Sequence, residues 1–395
     1  MTGLPRETDV LVVGGGVAGV ALADQLAAEG VEVVLVERGV LNREASGTNA
    51  GSLHLQIAIH QLTAFDTADV ADRLRDETRL ATEAARVWHA LDAELGGGLE
   101  LHVTGGLMVA ETEEQLRLLH DKQRIEEAAG LETHVLEGDE LRRVAPYLAP
   151  SVIGATSCPL EGHVNPLVAV PLLARRAAER GALIRTHAEV TAIEAQGAAG
   201  GGPFRVSTAA GTIVARRVVN AAGAWARELG ELVGLRMPLH RMGLHVNVTE
   251  PRERLLAPLV QHIGRRLTLK QSANDTFIIG GGWPAHPEEP PRRYSTTWDS
   301  AAGNAAVAVS VVPALADVRV VRTWSGVMAW TDDISPIVGE SRRVPGYHAL
   351  VVGSSGYTLS PLLARRLAEH MTGEGPALAP EYSPDRMSAA EPART

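Results

Sequence analysis

An α/β fold with a second, inserted domain is what this sequence predicts, and three observations carry the prediction. Residues 9–13, DVLVV, form a short β-branched run that stops at GGG, as a buried parallel strand does. A helix-spaced stretch at 17–30 and another apolar run at 31–37 follow, so strand, glycine turn, helix and strand make one right-handed βαβ unit. Far down the chain, at 348–353 and 359–371, the pattern returns to one more strand and a last helix. The opening domain is therefore discontinuous.

The elements between follow from local pattern. Residues 66–95 and 112–130 read as amphipathic surface helices, and 166–181, PLVAVPLLARRAAERG, as another helix. Runs at 187–195, 204–211 and 211–223, with the Gly-rich loop 197–202 between the first two, read as a β-meander. The stretch 236–330 is strand-rich, with a Pro-rich loop at 284–291. We assign 1–90, 150–232 and 330–375 to a Rossmann-like nucleotide-binding domain carrying the meander, and 91–149 and 233–329 to a mixed α+β substrate domain. The Ala- and Pro-rich residues 376–395 are expected to be disordered.

Composition narrows the classes. The 395 residues carry a net charge of −10 with no run of five like charges, which argues against a polyanion such as nucleic acid as partner. The single cysteine, Cys158, allows neither an intrachain disulfide nor a cysteine metal cluster, and it reads as a small buried residue. No metal site is expected. No apolar run reaches the roughly 18 residues of a transmembrane helix, and the N-terminus lacks a signal-peptide layout, so a cytoplasmic location is expected.

Gly14, Gly16 and Gly19 form G-x-G-x-x-G directly after a strand, with Val17 and Ala18 opening the helix. The glycines allow a tight turn, close approach to a pyrophosphate and close helix–strand packing, while the helix N-terminus offers N–H groups and partial positive charge. Glu37, eighteen positions beyond Gly19, ends the second strand where a carboxylate takes ribose hydroxyls and repels a 2′-phosphate, with Arg38 beside it. A dinucleotide site follows. Residues 45–54, ASGTNAGSLH, are small and mostly polar, which suits backbone crowding against a ligand rather than against protein.

With the meander and the run NAAGAWA (220–226), the sequence resembles the FAD-dependent D-amino-acid oxidase superfamily. The likeness rests on VLVVGGGVAGVALADQLAAEGVEVVLVE, SGTNAG, VNAAGAWA and DDISPIVG…HALVVGSSGYTLSP, and it extends to about residue 373. CPLEGHVNPLVAVPLLARRAAERGA (158–182) and LTLKQSANDTFIIGGGWPA (267–285) look like the branch of hydrogen cyanide synthase, opine oxidase and heteromeric proline dehydrogenase flavin subunits. The resemblance implies FAD; non-covalent attachment is expected because no histidine or cysteine sits where relatives carry theirs. It implies polar contacts from Ser46, Thr48, Asn49 and Ser52, and close backbone at Gly47, Ala50 and Gly51. Val190 is implied at adenine, and Ala222, Gly223 and Trp225 along the phosphates. Gly353, Gly356, Tyr357, Thr358 and Leu359 are implied at a helix start facing the flavin, whose dipole would favour negative charge on the reduced ring.

One departure stands out. Relatives carry a carboxylate-binding arginine in a GLRP run, and the matching run here is SGVMAW (325–330), with Met328 at that position. Another cation serves, or the substrate lacks a carboxylate; Arg241, Arg265 and Arg322 are the candidates. For the reactive face, His54, His245 and Lys270 are the candidate catalytic groups, with Trp283, Arg322, Met328 and Tyr357 around the substrate. Lys270 is a candidate for stabilising superoxide or peroxide, as in sarcosine oxidase, and each of these residues is also readable as ordinary core or surface. The expected reaction is hydride transfer from a carbon bearing an amine to flavin N5, giving an imine that hydrolyses. Oxygen or a redox partner subunit takes the electrons, in a possible homo- or hetero-oligomer. The alternatives are a 2-hydroxy-acid dehydrogenase, with His54 as base, and a flavin subunit that relays electrons within a complex.

Overall fold

Valine-rich runs become the central strands of the first of two units. A computed structural model describes residues 3–63, 70–197, 200–288, 293–376 and 378–386. Parts of the expected helix 66–95, of the loops 197–202 and 284–291, and of the tail lie outside the described residues. Unit 1 comprises 1–47, 166–242 and 327–395. Its sheet runs Ile337–Glu340, Tyr347–Val351, Gly211–Asn220, Glu7–Val13, Val33–Val36, Leu183–Arg185. All neighbours from Tyr347–Val351 to Leu183–Arg185 pair parallel, and Ile337–Glu340 is an antiparallel edge.

The meander, Val190–Ala195, Phe204–Thr208 and Gly211–Asn220, branches from the third of these strands. Leu11, Val34, Val36 and Val218 bury their side chains with Ile193, Phe204, Val206 and Tyr347, so one core joins sheet and meander. Helix Val17–Ala28 packs against both Pro166–Glu179 and Gly356–Thr372. Asp24, 1% exposed, accepts two hydrogen bonds from Arg176 at 3.0 and 2.6 Å and one from Arg180 at 3.1 Å. The expected disordered tail begins otherwise: Asp385 accepts from Ser341 Oγ (2.8 Å), and Arg386 donates to Asp333 at 2.8 and 3.0 Å. Ion pairing outweighs its Ala/Pro composition there.

Unit 2 comprises 48–165 and 243–326, so the unit boundaries fall at 47/48, 165/166, 242/243 and 326/327 rather than at the expected positions. Val70–Glu94, expected mostly in the nucleotide domain, belongs to unit 2. Its eight-stranded sheet runs Val320–Trp330, His240–Pro251, Thr276–Gly280, Thr268–Gln271, Leu259–His262, Gly106–Ala110, Gly154–Cys158, His134–Glu137. Register assigns its two faces, because paired residues share a face and neighbours along a strand alternate. Asn247, Ile279, Leu269, Val260 and Leu107 share one face. It packs on helix Trp298–Val311, through Ala308 and Val311. That helix lies within the stretch expected to be strand-rich. Five alanines among its fourteen residues favour helix, and the Thr297 cap, which accepts from Ser300 N–H, fixes its start. Thr268, Lys270, Gln261, Met108 and Thr156 share the opposite face.

Candidate functional site

In unit 1 the glycine motif makes the turn it was expected to make. Gly14 has φ +122°, and a Cβ there would lie 2.4 Å from Ala221 O; one on Gly19 would lie 2.1 Å from Gly14 O. Only bare backbone lets the helix start so close to the strand ends. Gly16 caps the helix without a side chain, and Ser46 Oγ accepts from Val17 N–H at 2.9 Å, which ties Ser46 to the helix start. Glu37 accepts from Gly15 N–H and Gly39 N–H, both at 2.8 Å, which fixes its carboxylate over the glycine turn. Glu37 O accepts from Ala188 N–H, which brings the start of the meander strand, and Val190, to the same end of the sheet.

Asn220 holds the second glycine turn. Its Nδ2 donates to Ala226 O (2.8 Å) and Tyr347 Oη (3.0 Å), and its Oδ1 accepts from Ala222 N–H. Trp225 follows, with the Arg38 guanidinium 3.9 Å over its ring. The Trp225 indole Nε1 is buried without a hydrogen-bond partner. At the third turn, helix Gly356–Thr372 starts from Ser355, a non-glycine residue in the left-handed region (φ 54°), and has no side-chain cap. Gly353 lies close to Ala329, where a Cβ would come within 3.0 Å of its carbonyl oxygen. Bare helix starts, a carboxylate at a strand end and an orphaned indole donor are the donor set a dinucleotide uses. The residues present fit FAD.

In unit 2 the small-residue run is anchored by its own turns. Gly51 N–H donates to Asn49 Oδ1 (2.6 Å), Ser52–Leu53 pairs with Gly162–His163, and Trp324 Nε1 donates to Thr48 O (2.7 Å). The N–H groups of Leu55, Gln56 and Ile57 are held by two buried carboxylates. Glu161 Oε1 accepts from Leu55 and Gln56 N–H (2.8 and 3.0 Å), and Glu126 Oε1 from Ile57 N–H (2.8 Å). Gln56 Nε2 donates to Glu161 Oε2, and Lys122 donates to Gln56, Glu126 and Thr156 at 2.9, 2.9 and 3.1 Å. Burial pushes both carboxyls above the usual range. Lys122, Glu126, Thr156 and Glu161 are each 0% exposed. The helix Glu113–Ala128, expected to lie on the surface, thus buries its i,i+4 ion pair.

The candidate reactive groups separate. Lys270, 4% exposed, lies on the sheet face of Thr156 and Gln261. Burial pushes it down to about 7. It acts electrostatically on His54 and His163; burial first, then that lysine, lowers them to about 4 and about 3. His163 is new to the site; its ring lies 5.2 Å from that of His102. His245 belongs to the other face: its Nε2 meets Asn247 Oδ1 at 2.9 Å, and Asn247 bonds Asn304 and Ala301 of helix Trp298–Val311. Strand parity puts it on the opposite sheet face from Lys270. Trp283 lies by the same helix, at Gly303, and donates to Arg266 O, so it does not wall the face of Lys270.

The candidate cations also resolve. Arg241 pairs with Glu228, Arg265 with Glu111 at 2.9 Å, and Arg322 is exposed, with its guanidinium 6.0 Å from the Trp324 ring. None of the three is a free buried cation. Met328 is part-exposed, and burial pushes the Tyr357 phenol up. Cys158 is fully buried, with its thiol raised by burial. Among the described residues no cluster suits a metal and no helix is long and apolar enough to cross a membrane.

Lys270 makes a pH prediction. The unfolded lysine, at its ordinary 10.5, holds a proton that the folded one releases above about 7. Stability therefore rises with pH between those values. Urea unfolding at pH 6.5 and pH 9 should show a rise in the wild type, on the order of a few kcal/mol, that Lys270→Met removes. Equal pH dependence in both proteins would contradict the burial of an unpaired lysine. His54 and His163, lowered from 6.5, act in the same sense at lower pH, so stability falls as pH drops from 6.5 toward 4.

Comparison with known proteins identifies the family. The family model described as FAD dependent oxidoreductase (DAO) matches residues 9–370. An opine oxidase subunit of Agrobacterium tumefaciens (strain Ach5) is 30% identical over 363 residues, 90% of each chain. Among solved structures, L-proline dehydrogenase from P. horikoshii superposes with TM-score 0.86 at 24% identity, covering 98% of this chain and 100% of that one. Glycine oxidase from Geobacillus kaustophilus gives TM-score 0.83 at 25% identity, covering 97% and 99%. The glycine turn, the strand-end carboxylate and a family match over nearly the whole chain agree: this protein belongs to the DAO family of FAD-dependent oxidoreductases.

Proposed function

We propose that the protein oxidises the C–N bond of an amine or amino acid to an imine, which water then hydrolyses to a carbonyl compound and a free amine. The observations that carry this reading are the FAD cradle of unit 1 and, within unit 2, three buried basic side chains, His54, His163 and Lys270, whose protonated forms burial disfavours. Oxidation of C–N needs the substrate amine without its proton, so that the nitrogen lone pair assists departure of the hydride. Lys270, lowered to about 7, is the group of the three able to take that proton, while His54 and His163, uncharged at neutral pH, do not repel the incoming ammonium. Names among the relatives, glycine oxidase, L-proline dehydrogenase and opine oxidase, support the same class.

FAD, when bound, supplies the two-electron acceptor that takes the hydride at N5. Gly14, Gly16, Val17, Ala18, Gly19, Glu37, Arg38, Ser46, Gly47, Val190, Ala222, Gly223 and Trp225 hold its dinucleotide half. Gly353 and Gly356–Leu359 of unit 1 serve the flavin half, for which the family resemblance also implies Thr48–Ser52. Attachment is read as non-covalent, because no histidine or cysteine sits where relatives carry theirs and Cys158 is buried in the sheet of unit 2. Electrons leave to oxygen or to a redox partner subunit, the latter suggested by the opine oxidase relative, whose name marks it as one subunit of an enzyme. A 2-hydroxy acid is the second reading, favoured by His54, whose uncharged ring can take a hydroxyl proton.

Product chemistry tests the proposal. Holoenzyme turning over amino acids or N-alkyl glycines should release amine and carbonyl product in equal amounts, and acid precipitation should leave the flavin in the supernatant. Carbonyl product from 2-hydroxy acids alone, with no amine released from any substrate, would overturn the reading.

A further inference from the structure

The chain contains two lysines among its 37 lysine and arginine residues, Lys122 and Lys270, and both are buried, at 0% and 4% exposure. Arginine serves the surface, so neither lysine is there for solubility. Their surroundings differ in one respect. Lys122 has its counter-ion built in, with Glu126 at 2.8 Å and Gln56 and Thr156 as further partners. Lys270 has none: among the described residues its ammonium has no carboxylate or hydrogen-bond acceptor, and burial alone sets its state. Removing an amine from water without a partner is costly, and such a group either loses its proton or awaits an anion.

The groups around Lys270 have the same requirement. His163 is 6% exposed and its Nδ1 is buried without a partner. Lys270 acts on it and on His54, and His102 and Arg254 add to the same positive field at His163. No acidic side chain contributes to the field at any of the three. At the position where relatives place their carboxylate-binding arginine the chain has Met328, and the arginines considered as replacements are paired or exposed.

We propose that Lys270 receives a carboxylate of the substrate, taking over the role of the missing arginine. The inference rests on the reading of the protein as an amine or amino-acid oxidoreductase and narrows its substrate class to amines that carry a carboxylate. The chemistry balances without any further reactant. An amino acid arrives as a zwitterion; its ammonium gives one proton to the Lys270 amine, and the lysine so charged pairs with the carboxylate. The substrate is left with a neutral nitrogen, the form that C–N oxidation requires.

Calorimetric titration of the holoenzyme with benzoate, and with benzamide as its neutral counterpart, tests this without turnover. Benzoate should bind and benzamide should not. Lys270→Met should weaken benzoate about 30- to 100-fold, the size of a lost charge-assisted hydrogen bond. Lys270→Arg should stay within about tenfold of wild type. Removing an unpaired buried charge does not cost stability, so Lys270→Met should keep its flavin and its fold. Unchanged benzoate affinity in Lys270→Met, or no benzoate binding in the wild type, would overturn the proposal. So would a defect confined to re-oxidation by oxygen, which would make Lys270 an oxygen-activating group. The two readings fail separately. If benzoate binds through Lys270 but no amine reduces the flavin, the anion site stands and amine oxidation falls; if amines reduce the flavin but no carboxylate binds, the reverse holds.

Discussion

Gly19→Val should yield a protein that purifies without the yellow of bound flavin. A Cβ on Gly19 would lie 2.1 Å from Gly14 O and 3.3 Å from the Ala221 side chain, so the two branches of valine can fit only if the helix moves off the strand ends. Backbone has no flexible end that can swing aside. The shift carries the N–H groups of Val17 and Ala18 away from the pyrophosphate, where the helix start contributes both hydrogen bonds and partial positive charge. Reconstitution with FAD, followed by flavin fluorescence, should show affinity reduced at least about 100-fold. Gly30→Ala is the control: Gly30 has φ +72° but nothing within 4 Å of a Cβ, so it should cost about 1 kcal/mol of stability and leave FAD binding intact. Stoichiometric flavin in Gly19→Val would mean that the helix start does not form the cradle described.

Glu161→Ala should be among the most destabilising single substitutions in unit 2. The Glu161 carboxylate accepts from Leu55 N–H, Gln56 N–H and Gln56 Nε2, all in a region closed to water. Deleting it leaves three donors unpaired and disturbs the amide that Lys122 uses as a partner. A loss of about 3–5 kcal/mol is expected, the cost of breaking a buried charged network from one side. Glu161→Gln keeps the shape and one carbonyl acceptor and should lose about half as much. Urea midpoints of the two variants check this. The same network fixes the backbone directly after His54, so Glu161→Gln should also lower the rate of flavin reduction at saturating substrate while flavin content stays full. Wild-type stability in Glu161→Ala would show that the network does not hold the 55–57 segment.

Legibility in the sequence depended on whether the physics was local. The glycine turn, Glu37 and the meander are legible because each is decided within a few residues, by φ, by chain reversal and by alternation. The place of His245 is not, because its face depends on strand register, which the Asn247–Ile279 and Leu269–Ile279 pairs set from distant parts of the chain. The helix that carries Lys122 and Glu126 reads as a surface one because i,i+4 spacing of charged residues looks the same whether the helix face meets water or the sheet. Glu161 and His163 sit inside CPLEGHVNP, a run whose likeness to a family branch does not say what each residue does. The scarcity of lysine is the available signal: a chain that uses lysine twice places it for a reason. The boundary at Gly47–Thr48 is hidden because the change of unit falls inside the small-residue run, where neither strand nor helix pattern marks it.

The central claim, that FAD here accepts electrons from an amine carbon, is tested most directly by anaerobic titration of the purified holoenzyme while its visible flavin band is followed. Amino acids, N-alkyl glycines, the corresponding amines without carboxylate, and 2-hydroxy acids are the substrates to compare. The account predicts bleaching by one or more amino acids or N-alkyl glycines and far weaker bleaching by the amines that lack the carboxylate. Bleaching by 2-hydroxy acids alone, with every amine leaving the band unchanged, would contradict it.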